Sequence, residues 1–171
     1  PAAANTHKEA ADEEDLEVPE VPESGPQLSK TAIGEIRKFL TNFLRFFGTF
    51  KNVLGVKKAD KLFHIFLHLA GMANEDIQLG VIQCLCLWKD VEYIIPYRSQ
   101  LETIIRDARV RTPLTEFPLL VSKGVIAPGH RADLIPLITR LLFPKLTLSK
   151  ADAGRRGAVL AYLAQCEPSE L

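Results

Sequence analysis

His64 and His68 stand four residues apart, and Cys84 and Cys86 two apart, so these four come nearest to a metal-ligand pattern in this chain. On a helix, residues four apart share a face, which suits two imidazole ligands of one ion. Cysteines two apart on a helix point about 200° away from each other, so both cannot reach one tetrahedral centre. They read instead as small buried thiols, and no metal ligand is expected. Nucleophilic chemistry fails on similar grounds. The chain lacks a Gly-x-Ser-x-Gly elbow and a phosphate-binding glycine loop, and Gly154-Arg155-Arg156-Gly157 follows no strand pattern. His130, with Arg131 and Asp133 beside it, has the residue types for acid–base work. It opens a helical pattern, however, and Asp133 is then expected in the first turn, where a carboxylate meets the helix dipole. No catalytic residue and no cofactor-binding residue is expected, and the chain reads as a non-enzyme without a small-molecule substrate.

Basic clusters remain. Lys57, Lys58 and Lys61 form one, continued by His64; Arg106, Arg109 and Arg111 form a second; Lys145, Lys150, Arg155 and Arg156 bracket the last loop. Such groups can neutralise phosphates or meet an acidic protein, and a solvated charged face is the plain alternative. No RNP aromatic pair, KH loop or zinc finger accompanies them. These ten residues are the candidates for RNA or partner contact.

The elements that would position them fall into two regions. Residues 1–29 hold eight acidic residues and one lysine, a net −7, so the rest of this formally neutral chain carries +7. That first stretch is rich in Ala, Glu and Pro and has too little apolar surface to offset ordering entropy. It is expected to be a disordered acidic linker, and its acidity excludes a signal or transit peptide. Three cysteines make no disulfide framework, which suits a reducing compartment. No apolar run reaches transmembrane length, and no membrane partner is expected.

From residue 30 the apolar pattern is helical. Ser29 is the expected N-cap of a helix carrying Ile33, Ile36, Leu40, Phe43, Leu44 and Phe47 on one face, with Lys38, Thr41, Asn42 and Arg45 opposite. Gly48 should end it. A second helix is expected over residues 59–72, with Leu62, Ile65, Phe66 and Leu69 in one stripe. Asn74, followed by Glu75 and Asp76, opens a third over residues 75–89. That helix is apolar nearly all round, so it should be sandwiched between neighbours. Further helices are expected over residues 91–107, restarting at Pro96, and over residues 112–121, where Thr112-Pro113 reads as cap and first turn. A loop with Gly124, Pro128 and Gly129 leads to a long helix over residues 130–146, and Val159, Leu160, Tyr162 and Leu163 mark a last one. Nothing alternates with period two. The fold class is all-α: about three to four helix pairs of a HEAT/armadillo-like α-solenoid over residues 30–171. Pro1 in place of an initiator methionine, and Pro168-Ser169-Glu170-Leu171 reading as a new helix start, suggest a fragment truncated at its C-terminal end.

Within residues 130–146 the residues His130, Arg131, Leu134, Pro136, Arg140, Leu142, Phe143 and Lys145 follow the order His-Arg-x-x-Leu-x-Pro-x-x-x-Arg-x-Leu-aromatic-x-Lys. With supporting stretches from Asp76 to Lys89 and from Pro96 to Phe117, the chain resembles the small-subunit processome component 20 family, also called down-regulated-in-metastasis proteins. The similarity covers residues 33–171. It implies a piece of a very long HEAT-repeat protein of the nucleolus, a structural scaffold in small-subunit ribosomal RNA processing. Implied partners are other pre-ribosomal proteins, with the ribosomal RNA precursor or a small nucleolar RNA beside them. The family carries over no catalytic residue. Its longer basic loop after the Lys145 region is here the short link 147–156, which weakens an RNA contact placed there. The alternative is a HEAT-type protein-binding adaptor without an RNA role.

Overall fold

A computed structural model describes residues 29–51, 53, 55–89, 91–107, 110–147 and 153–170. Among them are seven α-helices and no strand. They are α1 (Lys30–Phe47), α2 (Ala59–Leu69), α3 (Glu75–Leu85), α4 (Arg98–Arg106), α5 (Arg111–Glu116), α6 (Pro128–Thr147) and α7 (Ala153–Leu163). Short 3-10 turns lie at Ile95–Tyr97, Val121–Lys123 and Pro168–Glu170. No helix among the described residues is long and apolar enough to cross a membrane. The expected linker over residues 1–29 lies, apart from Ser29, outside the described residues.

The local signals act as their chemistry requires. Ser29 Oγ accepts from the Ala32 N–H at 3.1 Å, and the ladder of α1 closes where Gly48 N–H donates to Leu44 O. Asn74 Oδ1 accepts from the Ile77 N–H at 2.9 Å, with Glu75 and Asp76 in the first turn of α3.

Side-chain registers show how the helices stack. Leu44 sits against Gly80 and Gly48 against Gln83, so α1 and α3 run parallel. The chain reverses through α2, because Gln78 reaches Ala70 while Trp88 meets Phe63. Along α4 and α6, Tyr97 meets His130 and Ile105 meets Lys145, again in parallel. This alternation is a solenoid-like all-α stack of three and a half helix pairs. In a strict one-dimensional stack each pair touches only its neighbours. Here α6 also packs on α2, and the buried Gln78 closes the gap. Its Nε2 donates to Ala70 O at 2.7 Å and to Leu141 O at 3.1 Å, joining three helical segments.

As expected from its all-round apolar pattern, α3 is buried on several sides, through Ile77, Val81, Ile82, Cys84 and Leu85. Its neighbours α1, α2 and α4 account for that. Four expectations are corrected. First, α3 stops at Leu85 rather than Lys89, passing into 3-10 bonds from Leu87 N to Cys84 O and Trp88 N to Leu85 O. The turn carries Trp88 into an aromatic cluster with Phe47, Phe63 and Phe66 at ring-centroid distances of 5.9, 5.6 and 5.7 Å. Second, α5 begins at Arg111, so Thr112 is inside the helix and not its cap. The entry is Val110, held at φ 52° with its N–H on Asp107 Oδ1 at 3.2 Å. Third, α6 begins at Pro128, which leaves Asp133 beyond the first turn and unable to cap it. Fourth, the apolar stripe of α1 is covered over only part of its length. Leu44 and Phe47 are buried, but Ile33 and Ile36 are exposed because α3 meets α1 around Leu44 and Gly48. Ile65 of α2 is likewise exposed.

Candidate functional site

The tertiary fold regroups the basic residues. Lys57, Lys58 and Lys61 stay together, exposed around the N-terminus of α2, where helix N–H groups and the dipole favour an anion. Lys58 takes a left-handed backbone, φ 65°, at the entry to that helix. Arg106 parts from Arg111. It lines a cleft of about 240 Å³ between α1, α3 and α4, together with Arg45 and Arg98. Two carboxylates, Asp76 and Glu102, line the same cleft. Glu102 holds Arg98 at 2.7 Å and Arg106 at 3.8 Å, both one helical turn away. The pairing leaves three guanidiniums against two carboxylates, a modest positive excess.

Arg111, exposed at the start of α5, reaches the N-terminal end of α7, its Nη2 lying 4.0 Å from where a Cβ of Gly154 would stand. It thereby joins Arg155 and Arg156, both half-buried. Lys145 is corrected as a surface candidate. Its residue is buried, and Nζ donates to Ile105 O at 3.0 Å and Asp107 O at 2.9 Å, closing the carbonyl end of α4. Burial lowers its pKa, and the nearby Arg155 adds to that. Arg109 and Lys150 lie outside the described residues.

The remaining reactive types are placed as follows. Cys84 is buried, its Sγ donates to Leu44 O at 3.2 Å, and burial pushes its pKa up to about 12, so it is not a thiolate at neutral pH. Cys86 is half-buried, and His64 and His68 are exposed on α2. Among the described residues no group of three or more His, Cys, Asp or Glu is arranged to hold a metal ion. His130 packs edge-on against Tyr97, with Nδ1 3.2 Å from the Tyr97 hydroxyl, which also accepts from Ala127 N–H at 2.9 Å. This network ties the loop before α6 to the 3-10 turn before α4. Arg131 is also committed to the fold, through Glu170 and Leu119 O, beside a hollow of about 580 Å³ under the last 3-10 turn.

Arg45, expected only on the polar face of α1, and Arg98 stand outside the three basic clusters of the sequence. The i, i+4, i+8 series Arg98, Glu102, Arg106 is a legible charged stripe and could have identified Arg98. Arg45 carries no such local signal, since only the packing of α1 on α3 brings it there. Of the motif over residues 130–146, Leu134 and Leu142 fill the core, while Pro136, Arg140 and Phe143 lie exposed on one side of α6.

Residues 35–171 match the family model described as U3 small nucleolar RNA-associated protein 20, N-terminal.

Proposed function

The chain belongs to that family of U3 small nucleolar RNA-associated proteins, and from this premise we propose that it is a non-enzymatic structural scaffold of the small-subunit processome. In this reading it works in the nucleolus and supports small-subunit ribosomal RNA processing and pre-ribosome assembly. It does so by presenting a stack of helices to other pre-ribosomal proteins and to the RNA. The observation that carries the reading is the family match, which takes in all of α2 to α7 and most of α1. Depletion of the full-length protein should make small-subunit rRNA precursors accumulate. Unchanged precursor levels would remove the proposal.

Direct RNA contact belongs to the same reading, with the cleft of Arg45, Arg98 and Arg106 and the lysines at α2 as its phosphate contacts. Supporting it are the guanidinium excess in the cleft and the helix N-terminus beside Lys57, Lys58 and Lys61. Filter binding of structured RNA across a salt series tests this. Affinity should fall with salt, and changing all three arginines to alanine should make the logarithmic slope shallower by about 2.

A protein-binding adaptor without an RNA role is the second reading. It is favoured by Glu102 taking up Arg98 and Arg106 and by Lys145 facing inward. RNA that fails to bind at low salt selects it.

A further inference from the structure

Between α2, α6 and the turn after α3 lies an open cleft of about 470 Å³, away from the arginine cleft. Its lining includes three aromatic rings, Phe63, Trp88 and Tyr93, with His64, and two carboxylates, Asp60 from α2 and Asp133 from α6. Trp88 is only 5% exposed and is committed on most sides to Phe47, Phe63 and Phe66, so Phe63 and Tyr93, both half-buried, supply most of the accessible ring surface. Aromatic faces are electron-rich and attract a cation, and carboxylates beside them supply the opposite charge. Asp133 acts on Tyr93: burial first and that carboxylate second push the phenol up to about 12, so the ring stays neutral and hydrogen-bonding. Asp60 and Asp133 are exposed, and no ion pair involving either is found among the described residues. Arg140 also lies near Tyr93 but is not part of the lining. Metal binding does not explain the carboxylates, since no suitable group of three ligands forms among the described residues.

We propose that this cleft binds a cationic side chain, a lysine or arginine, of a basic segment in a partner protein. The aromatic walls take the apolar stem and the face of the charge, and Asp60 and Asp133 neutralise it. An RNA backbone has the wrong sign for this place. The proposal stands whether or not the chain scaffolds a processome.

Trp88 is the chain's single tryptophan, so its emission reports on the cleft. This matters because the acidic stretch within residues 1–29 would also attract cations elsewhere. The test titrates the full 171-residue chain with short peptides, otherwise uncharged, carrying lysine, trimethyl-lysine or arginine, and with a citrulline peptide as the neutral counterpart of arginine. A saturable change in Trp88 emission with at least one cationic peptide, absent with citrulline, is expected. Asp60→Asn with Asp133→Asn should weaken it about tenfold. Tyr93→Phe should retain binding and Tyr93→Leu should lose it, and thermal melting of each variant shows that the fold is intact. No saturable change with any cationic peptide, equal binding of citrulline, or affinity within twofold in the double asparagine variant would overturn the proposal. So would an RNA oligonucleotide that displaces the bound cationic peptide from the Lys57→Ala, Lys58→Ala, Lys61→Ala variant.

Discussion

Arg131 and Glu170 meet through two parallel hydrogen bonds, Nε to Oε1 at 2.6 Å and Nη2 to Oε2 at 2.7 Å, although 39 residues separate them. The third guanidinium nitrogen, Nη1, donates to Leu119 O at 2.8 Å, and Glu170 Oε2 also accepts from Glu167 N–H. One forked cation therefore fastens the last 3-10 turn and the segment after α5 onto α6. The two side chains are 8% and 12% exposed and both line the open hollow under that turn, so the pair lies at the edge of the fold, within reach of water.

Removing one partner should leave the other charge unpaired. Arg131→Ala is expected to destabilise the chain by about 1 to 3 kcal/mol, through the charge-assisted hydrogen bonds it abandons, read from the midpoint of urea unfolding. Arg131→Lys should recover little, because an ammonium cannot reproduce the fork. A midpoint shared with the unaltered chain would refute the clamp.

The clamp also sets an acid limb. The hydrogen bond from Arg131 comes first in holding the Glu170 carboxyl below its ordinary value near 4.5. A depressed folded pKa means that this stabilisation is complete above the unfolded value and is lost as pH falls through the folded one. Unfolding midpoints between neutral pH and pH about 3 should fall more steeply for the unaltered chain than for Glu170→Gln. Parallel curves would show that Glu170 contributes nothing to the acid transition.

Gln78 is a second internal tie, offering its amide hydrogens to Ala70 O and Leu141 O. Gln78→Glu would turn a buried donor into an acceptor facing two carbonyls. A loss of about 3 kcal/mol or more is expected. Gln78→Leu, which fills similar space without charge, should lose about 1 to 2 kcal/mol. Equal effects of the two changes would mean that hydrogen bonding is not what Gln78 supplies.

Two glycines in helices should respond in opposite directions. A Cβ on Gly80 would stand 3.0 Å from Leu44 Cβ and 3.3 Å from its Cδ1, and a Cβ near the backbone has little freedom to move. Gly80→Ala should cost about 1 to 2 kcal/mol net, overpacking outweighing the gain in helix propensity. Gly34, within α1, has nothing within 4 Å of the same position. Gly34→Ala should stabilise by about 0.5 to 1 kcal/mol. Thermal melting of the pair decides it, and a stabilising Gly80→Ala would overturn the close α1–α3 approach.

Lys145 separates charge in the sequence from charge at the surface. Lys145→Met should cost about 1 to 2 kcal/mol of stability through the two carbonyls it abandons. It should leave any salt-dependent RNA affinity unchanged. A shallower salt slope for this variant would place the ammonium in contact with phosphate after all.

Much of the architecture was legible from residue order. Apolar residues at three- and four-residue spacing, with Ser29 and Asn74 as caps, indicated helices because capping and periodicity act within a turn or two of the chain. The all-round apolar α3 announced its burial between neighbours for the same reason. Boundaries were less legible. The early end of α3 depends on Trp88 joining Phe47 and Phe66 from other helices, and the start of α5 depends on the turn at Val110.

Of the basic residues, their charge was legible and their company was not. Lys57, Lys58 and Lys61 remain neighbours because one turn of helix spans them. Arg106 instead finds Arg45 across a helix interface, Arg111 finds the end of α7, and Lys145 turns inward to the carbonyls of α4. Likewise, nothing local pairs Arg131 with Glu170 or places Asp133 opposite Asp60. By itself the sequence determined helix periodicity, caps, charge and the family resemblance, all of which act or can be recognised along the chain. Which charges are exposed, paired or buried was decided only by tertiary packing, because Coulomb and hydrogen-bond energies follow distance in space and local dielectric, not separation in sequence.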